Sequence, residues 1–280
     1  MKNENKTSRS LIYGSWMIRP NLWVITNQWQ NFQYLLVGEK EAVLIDSGSG
    51  EGNIRSVVEE ITELPLMVIN THGHFDHTGG NGLWQQAWMG EASTRDCKRA
   101  FSPEEQIKAA CKPYPDYKTR ILTDGATIEL GSETIEVMTT PAHHDGSIAL
   151  IARKNRLLFT GDEIDSGQVL ILKKYSDPEF LPTIARHLAN TERLLARRAD
   201  YDFLFPAHNG YMLDPDCYLN DFIALDKQIL KGTAQTQPDT AGFNYPADPV
   251  ASGSEFGKFG KQKRVFYGVA SIVYIDDADK

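Results

Sequence analysis

The run Thr71-His-Gly-His-Phe-Asp-His-Thr-Gly-Gly80 places His72, His74, Asp76 and His77 within six residues of one another, and His143 and His208 follow far downstream. Five of the chain's seven histidines thus belong to one ordered set, which Asp162 in Phe159-Thr-Gly-Asp162-Glu163 completes. Imidazole nitrogens and carboxylate oxygens are ligands for divalent transition metals, and seven of them are enough to hold two ions. In an extended loop His72 and His74, two positions apart, point the same way and can serve one ion, with His143 as its third nitrogen. Asp76 and His77 lie past that turn and can face a second ion, where His208 adds another nitrogen. Asp162, placed after a strand and a glycine, can give one oxygen to each. Two cations about 3.5 to 4 Å apart would lower the proton affinity of a shared water and make a nucleophile at neutral pH without any serine or cysteine. Zinc is the first expectation for so histidine-rich a set, while an aspartate-bridged pair also suits iron or manganese. A single histidine after a strand is usually a hydrogen-bonded or surface residue, but this many ligand types at these spacings argue together.

The elements that must carry these residues are legible as hydrophobic patterns. Asn21 to Thr26 and Gln33 to Val37 read as short strands, and Ala42 to Ile45 as an apolar strand ending in Asp46-Ser-Gly. Residues 53–62 set Ile54, Val57, Val58 and Ile61 on one face at helical spacing, with charges opposite. The apolar run Leu66 to Ile69 hands the histidine cluster over at its carboxyl end, where α/β proteins place their sites. Residues 83–122, with Trp84, Trp88 and a charged, proline-containing stretch at 102–117, read as a helical connection or cap. A second series of strands is expected at 126–130, 134–138, 147–152 and 156–159. A helix from about Leu181 to Arg198 follows, in which His187 reads as solvated, and a strand from Asp202 to Phe205 delivers His208. Residues 232–263, rich in Gly, Pro, Ser, Thr and Lys and carrying Phe243, Tyr245, Phe256 and Phe259, read as a lid, a subunit contact or a tether. Val265 to Ile275 closes the chain as a strand pair.

With 280 residues, 41% of them hydrophobic, the chain can bury the core of one large α/β domain. A net charge of −8 disfavours a nucleic-acid partner, whose affinity rests on Lys and Arg, and leaves a small-molecule substrate. The polar first ten residues lead into no apolar run, and no apolar stretch approaches the roughly 18 residues that span a bilayer, so the expectation is a cytoplasmic protein without membrane association. Cys97, Cys111 and Cys217 share no CxxC spacing and read as free thiols. Trp16, Trp23, Trp29, Trp84 and Trp88 could line an apolar pocket, although aromatics in α/β proteins more often fill the core. A homo-oligomer stays open.

The succession His72-Gly-His74-Phe-Asp76-His77, Pro141-Ala-His143-His144-Asp145-Gly-Ser147, Thr160-Gly-Asp162 and Ala207-His208 resembles the signature of the metallo-β-lactamase superfamily over residues 15–215. The resemblance implies an α/β fold of the αββα four-layer sandwich type with the metals at one edge between two sheets. It also suggests that Asp46 is the buried carboxylate this family sets behind its metal ligands. True β-lactamases of the superfamily commonly have cysteine where Asp162 stands, so antibiotic hydrolysis is not expected. An aspartate there resembles glyoxalase II, the acyl-homoserine lactonases, the tRNA 3′-processing nucleases and the persulfide dioxygenases. The basic C-terminal pattern by which glyoxalase II holds glutathione is not evident, the lactonase tyrosine is replaced by Asp165, and the acidic charge counts against the nucleases. Where the family usually reads His-Thr-Pro-Gly-Ser, this chain has His143-His144-Asp145-Gly-Ser147, which places His144 behind the ligands or beside the substrate.

The resulting expectation is a dinuclear metal-dependent hydrolase of a small ester, thioester or lactone. A metal-bridging hydroxide attacks the carbonyl, and Asp76 orients it and accepts its proton. The alternatives are an iron-dependent oxidoreductase resembling the persulfide dioxygenases, and a phosphodiesterase. Residues 1–230 would form the hydrolase domain and 231–280 an extension packed on it.

Overall fold

The computed structural model describes residues 12–27, 31–98, 103, 116–171, 183–238 and 262–275. Strands β1 (Gly14–Arg19), β2 (Leu22–Thr26), β3 (Phe32–Val37) and β4 (Ala42–Ile45) form an antiparallel meander. β5 (Leu66–Ile69), β6 (Gln86–Gly90) and β7 (Lys118–Leu122) extend it in parallel, so that strand order follows sequence order. The second sheet has the order β13-β11-β10-β9-β8, built from β8 (Thr127–Glu129), β9 (Thr134–Thr139), β10 (Ile148–Ala152), β11 (Leu157–Gly161) and β13 (Phe203–Pro206).

Side-chain alternation decides the layers, because successive residues of a strand face opposite sides. Leu22, Val24, Tyr34, Leu36, Val43 and Ile45 meet Ile135, Val137, Leu150, Phe159 and Phe205 in a core between the two sheets. The alternate residues Ile25, Leu35 and Leu44 bury the apolar face of α1 (Ile54–Ile61) through Ile54 and Val58. On the far side Met138, Ala149, Ile151, Leu158 and Leu204 pack against α3 (Ile184–Ala196) and α4 (Pro215–Leu230). A short helix, α2 (Phe75–Thr78), lies within the histidine run. The architecture is an αββα sandwich.

A further sheet among the described residues joins β12 (Val169–Ile171), β16 (Ala270–Ile275), β15 (Gln262–Tyr267) and β14 (Thr236–Pro238) in that order. β16 runs parallel to β12, and Val265, Ala270 and Ile272 join the cluster around α4, so the C-terminal hairpin rests on the second half of the sandwich. Most of the stretch expected as lid, contact or tether, including Phe243, Tyr245, Phe256 and Phe259, lies outside the described residues, as do Trp29, Cys111 and the start of the 181–198 helix.

Three readings change. Residues 83–122 are only partly helical where they are described: Glu91–Arg95 forms a 3-10 helix, but β6 and β7 continue the parallel sheet, because Ala87 and Met89 bury one face of an extended segment. α4 has no counterpart in the sequence reading, although Asp214 accepts hydrogen bonds from the Asp216 and Cys217 N–H groups as its N-cap and Pro215 opens its first turn. His187 is not solvated but fully buried, because α3 turns it toward α4. No helix among the described residues is long and apolar enough to cross a membrane.

Candidate metal centre

The sheets open at one edge, and every residue of the ligand set follows the carboxyl end of a strand that points there. Asp46 follows β4, the His72 to His77 run follows β5, His143 follows β9, Asp162 follows β11 and His208 follows β13. β4 and β5 are parallel, as are β11 and β13, so strand direction alone brings these ends together. Gly161 allows the approach of the two halves, since a Cβ there would lie 2.6 Å from Thr71 Cβ and its φ is +54°.

All seven residues meet in two groups. Donor atoms of His72, His74 and His143 lie within 4.8 Å of one another, as do those of Asp76, His77 and His208, and Asp162 reaches the same distance with His72 and His77. In the first group His72 Nε2 and His143 Nε2 stand 2.9 and 3.1 Å from His74 Nδ1. In the second, His77 Nε2 and His208 Nε2 are each 3.3 Å from Asp76 Oδ2 and 3.4 Å from Asp162 Oδ1. Asp162 Oδ2 is 3.5 Å from His143 Nε2, so its carboxylate faces both groups.

The ring protons are committed on the outer side. His77 Nδ1–H donates to Asp46 Oδ2 at 2.9 Å and His143 Nδ1–H to the Leu170 carbonyl at 2.9 Å, which leaves both Nε2 lone pairs facing inward. Asp46 takes a left-handed backbone conformation, φ +61°, and also accepts from the N–H and hydroxyl of Thr71 at 2.8 and 2.9 Å. That carboxylate therefore fixes β4, the start of the histidine run and the His77 ring at once. His144 lies behind the ligands: Gly146 N–H donates to its Nδ1 at 2.9 Å, Nε2–H donates to Asp96 Oδ2 at 3.0 Å, and its ring centre is 5.1 Å from that of His74. Asp96, His144 and Asp145 also bring donor atoms close together, but Nδ1 is occupied and Arg95 pairs with Asp145.

The electrostatics divide the two groups. Burial, then neighbouring imidazoles, pushes His72 and His74 well below the ordinary histidine range, and burial outweighs Asp162 in lowering His143. His77 goes the other way: burial opposes charge, but Asp76, Asp162 and Asp46 together raise it well above that range. Asp76 and Asp162 are held low despite burial, by His77 and His208. Facing lone pairs 2.9 to 3.1 Å apart, inside a field of carboxylates, fit a divalent cation better than any sharing of protons. Asp162 Oδ1 agrees with this, being buried 3.4 Å from the Nε2 atoms of both His77 and His208.

Several residues that hold the candidate ligands were not legible as site residues. Asn31 donates to the Asp76 carbonyl at 2.7 Å and pairs by a β-bridge with His208, and Asn70 donates to the His77 carbonyl at 2.7 Å. Thr71 and the Leu170 carbonyl belong with them. Their sequence signal is only proximity to a ligand or to a strand end. Of the tryptophans, Trp23 and Trp84 pack partly buried beside α1 and Trp88 against the central core, whereas Trp16 is exposed and donates its indole N–H to the Tyr211 hydroxyl at 3.2 Å.

The family model of the metallo-beta-lactamase superfamily matches residues 26–208. The chain belongs to that superfamily. An acyl-coenzyme A thioesterase of Homo sapiens is 26% identical over 223 residues, covering 68% of this chain and 73% of that protein. A hydroxyacylglutathione hydrolase of Francisella tularensis subsp. novicida is 27% identical over 146 residues, and the match spans 51% of this chain and 50% of that one. Among solved superfamily structures, a metallo-beta-lactamase family protein of Thermus thermophilus aligns with a TM-score of 0.56 at 19% identity, covering 90% of this chain and 99% of that chain. An alkylsulfatase of Pseudomonas aligns with a TM-score of 0.63 at 13% identity, covering 80% and 43%. The structural likenesses speak for the superfamily fold, and the curated relatives, hydrolases by name, place the chain among its metal-dependent hydrolases.

Proposed function

We propose that this protein hydrolyses a small-molecule thioester with the help of two divalent cations. The observation that carries the reading is the pair of buried nitrogen and oxygen groups that share Asp162. Thioester is chosen over ester and lactone because the human relative is named for acyl-coenzyme A and the bacterial one for hydroxyacylglutathione. His72, His74 and His143 would hold one ion and Asp76, His77 and His208 the other, with Asp162 between them. When bound, such ions supply Lewis acidity to a carbonyl oxygen and make water acidic enough to attack at neutral pH.

The chain's own groups prepare this chemistry. Asp46 and the Leu170 carbonyl keep the Nε2 lone pairs of His77 and His143 turned inward. Asp76, 25% exposed where its neighbour His77 is buried, is placed to orient an attacking water and accept its proton. Zinc is the first choice of metal for so many imidazoles, with iron and manganese as competitors. The free Cys97 and Cys217 suit a reducing compartment, in keeping with a cytoplasmic enzyme.

The test is metal analysis of the purified chain together with a screen over acyl-coenzyme A, acyl-glutathione, aryl esters, lactones and phosphodiesters. Two ions per chain and thioester turnover are expected, with Asp162→Ala lowering turnover by about 10³-fold, the scale of several kcal/mol of lost charge stabilisation. Turnover of phosphodiesters alone, or oxygen consumption with a persulfide and a single iron, would replace the thioesterase reading.

A further inference from the structure

Two carboxylates beside Asp162 have no part in the chemistry above. Glu163 and Asp165 are 0% and 3% exposed, and no lysine or arginine is bonded to either among the described residues. Burying a carboxylate is costly unless hydrogen bonds replace its hydration, so the groups that supply those bonds show what the residue is for. Each carboxylate is bonded to a different remote loop that carries a histidine of the ligand set.

Glu163 Oε2 accepts the backbone N–H of His143 at 3.1 Å, and its Oε1 accepts from the Asn190 side chain of α3 at 2.6 Å. The Glu163 carbonyl accepts from His187 Nε2 at 2.9 Å, and His187 Nδ1 faces Asp226 Oδ2 of α4 at 2.7 Å. The segment is thus pinned to both outer helices. Asp165 Oδ1 accepts from Gly167 N–H at 2.9 Å within its own turn and from the Asn209 side chain at 3.1 Å. Asn209 follows His208 directly, at φ +62°. The contact is close enough that a Cβ on Gly167 would come within 2.2 Å of Asn209 Nδ2.

We propose that Glu163 and Asp165 are positioning residues that divide the centre between them, Glu163 setting the His143 side and Asp165 the His208 side. The inference rests on the two-cation reading. Loss of a hydrogen-bonding partner behind a ligand weakens metal binding by about 10- to 100-fold, because the ligand atom drifts from its place. A carboxylate with only a general packing role would loosen both halves together, whereas these two act on opposite halves.

The experiment is stepwise chelator competition on the full chain loaded with zinc, paired with the absorption spectrum of the cobalt form, which reports the ligand environment of each ion. Glu163→Ala should weaken one ion by about 10- to 100-fold and reproduce the pattern of His143→Ala. Asp165→Ala should weaken the other and reproduce that of His208→Ala. Glu163→Gln and Asp165→Asn keep an acceptor oxygen and should restore most of the affinity, and they decide the matter if an alanine variant does not fold. Equal weakening of both ions in each variant, or no change in either, overturns the division of labour while leaving the two-cation reading intact. An unsubstituted chain that binds fewer than two ions overturns both.

Discussion

The two halves of the sandwich deliver their candidate ligands differently. The first half gives His72, His74, Asp76 and His77 from one loop after β5, and a single carboxylate, Asp46, organises that loop with bonds of 2.8 and 2.9 Å to Thr71 and 2.9 Å to His77. The second half gives His143, Asp162 and His208 one at a time from three strand ends. The two histidines bond to groups distant in sequence: His143 to the Leu170 carbonyl and to Glu163, itself tied to Asn190, and the His208 loop to Asp165 through Asn209. A candidate ligand cluster close in sequence can share one carboxylate, with Asn31 and Asn70 holding its backbone, while ligands scattered along the chain need a tertiary tie for each. The halves therefore differ in what can break them.

The largest effect is expected behind the second half. His187→Ala leaves Asp226 buried without its cationic partner, which costs about 3 to 5 kcal/mol for a broken buried pair. Thermal and urea unfolding should show it, and the double variant His187→Leu/Asp226→Leu should regain much of the loss, since an apolar pair of similar volume needs no compensation. If the single variant unfolds like the parent, the helix pair does not anchor this half.

In the first half, Asp46→Ala removes the acceptor that keeps the His77 proton on Nδ1. Metal affinity should fall by about 10- to 100-fold at the ion held by His77, with a smaller change at the three-histidine group. A uniform loss at both ions would erase the contrast between one local anchor and several distant ones.

The smallest effect tests the margin of the second half by acid. Arg197 and Arg153 hold the Glu136 carboxyl of β9 down at about 2 from its ordinary 4.5. A depressed carboxylate stabilises the fold above its unfolded value of 4.5 and loses that contribution as pH falls toward 2. Because both arginines are partly exposed, Glu136→Gln should cost only about 1 kcal/mol near neutrality, and the gap should close as acid titrates the parent. Denaturant midpoints measured across that pH range check the sign; a gap that widens in acid contradicts the assignment.

The candidate ligand set is legible in the chain because its types and spacings are those a metal site requires, and five histidines with their aspartates stand out whatever surrounds them. The strands from β2 to β5 and from β9 to β11 were readable for a similar reason: alternating and continuous apolar runs leave little choice of face. What packs on those strands could not be read. β6 and β7 looked like a cap because Trp84, Trp88 and prolines obscure their pattern, and α4 went unseen although Asp214-Pro215 caps it, because no residue of the ligand set lies beyond His208. His187 is the clearest case. Its neighbours Arg186 and Leu188 suggest a solvated helix face, and only the approach of α4 makes the position a buried partner of Asp226. Glu163 and Asp165 likewise carry no signal in sequence beyond standing next to Asp162. Composition and spacing settle which atoms can bind a cation, since that is a property of side-chain types. Which carboxylates bind and which hold the binders in place depends on what each strand end meets across the sandwich, and that is decided only when the two sheets close on one another.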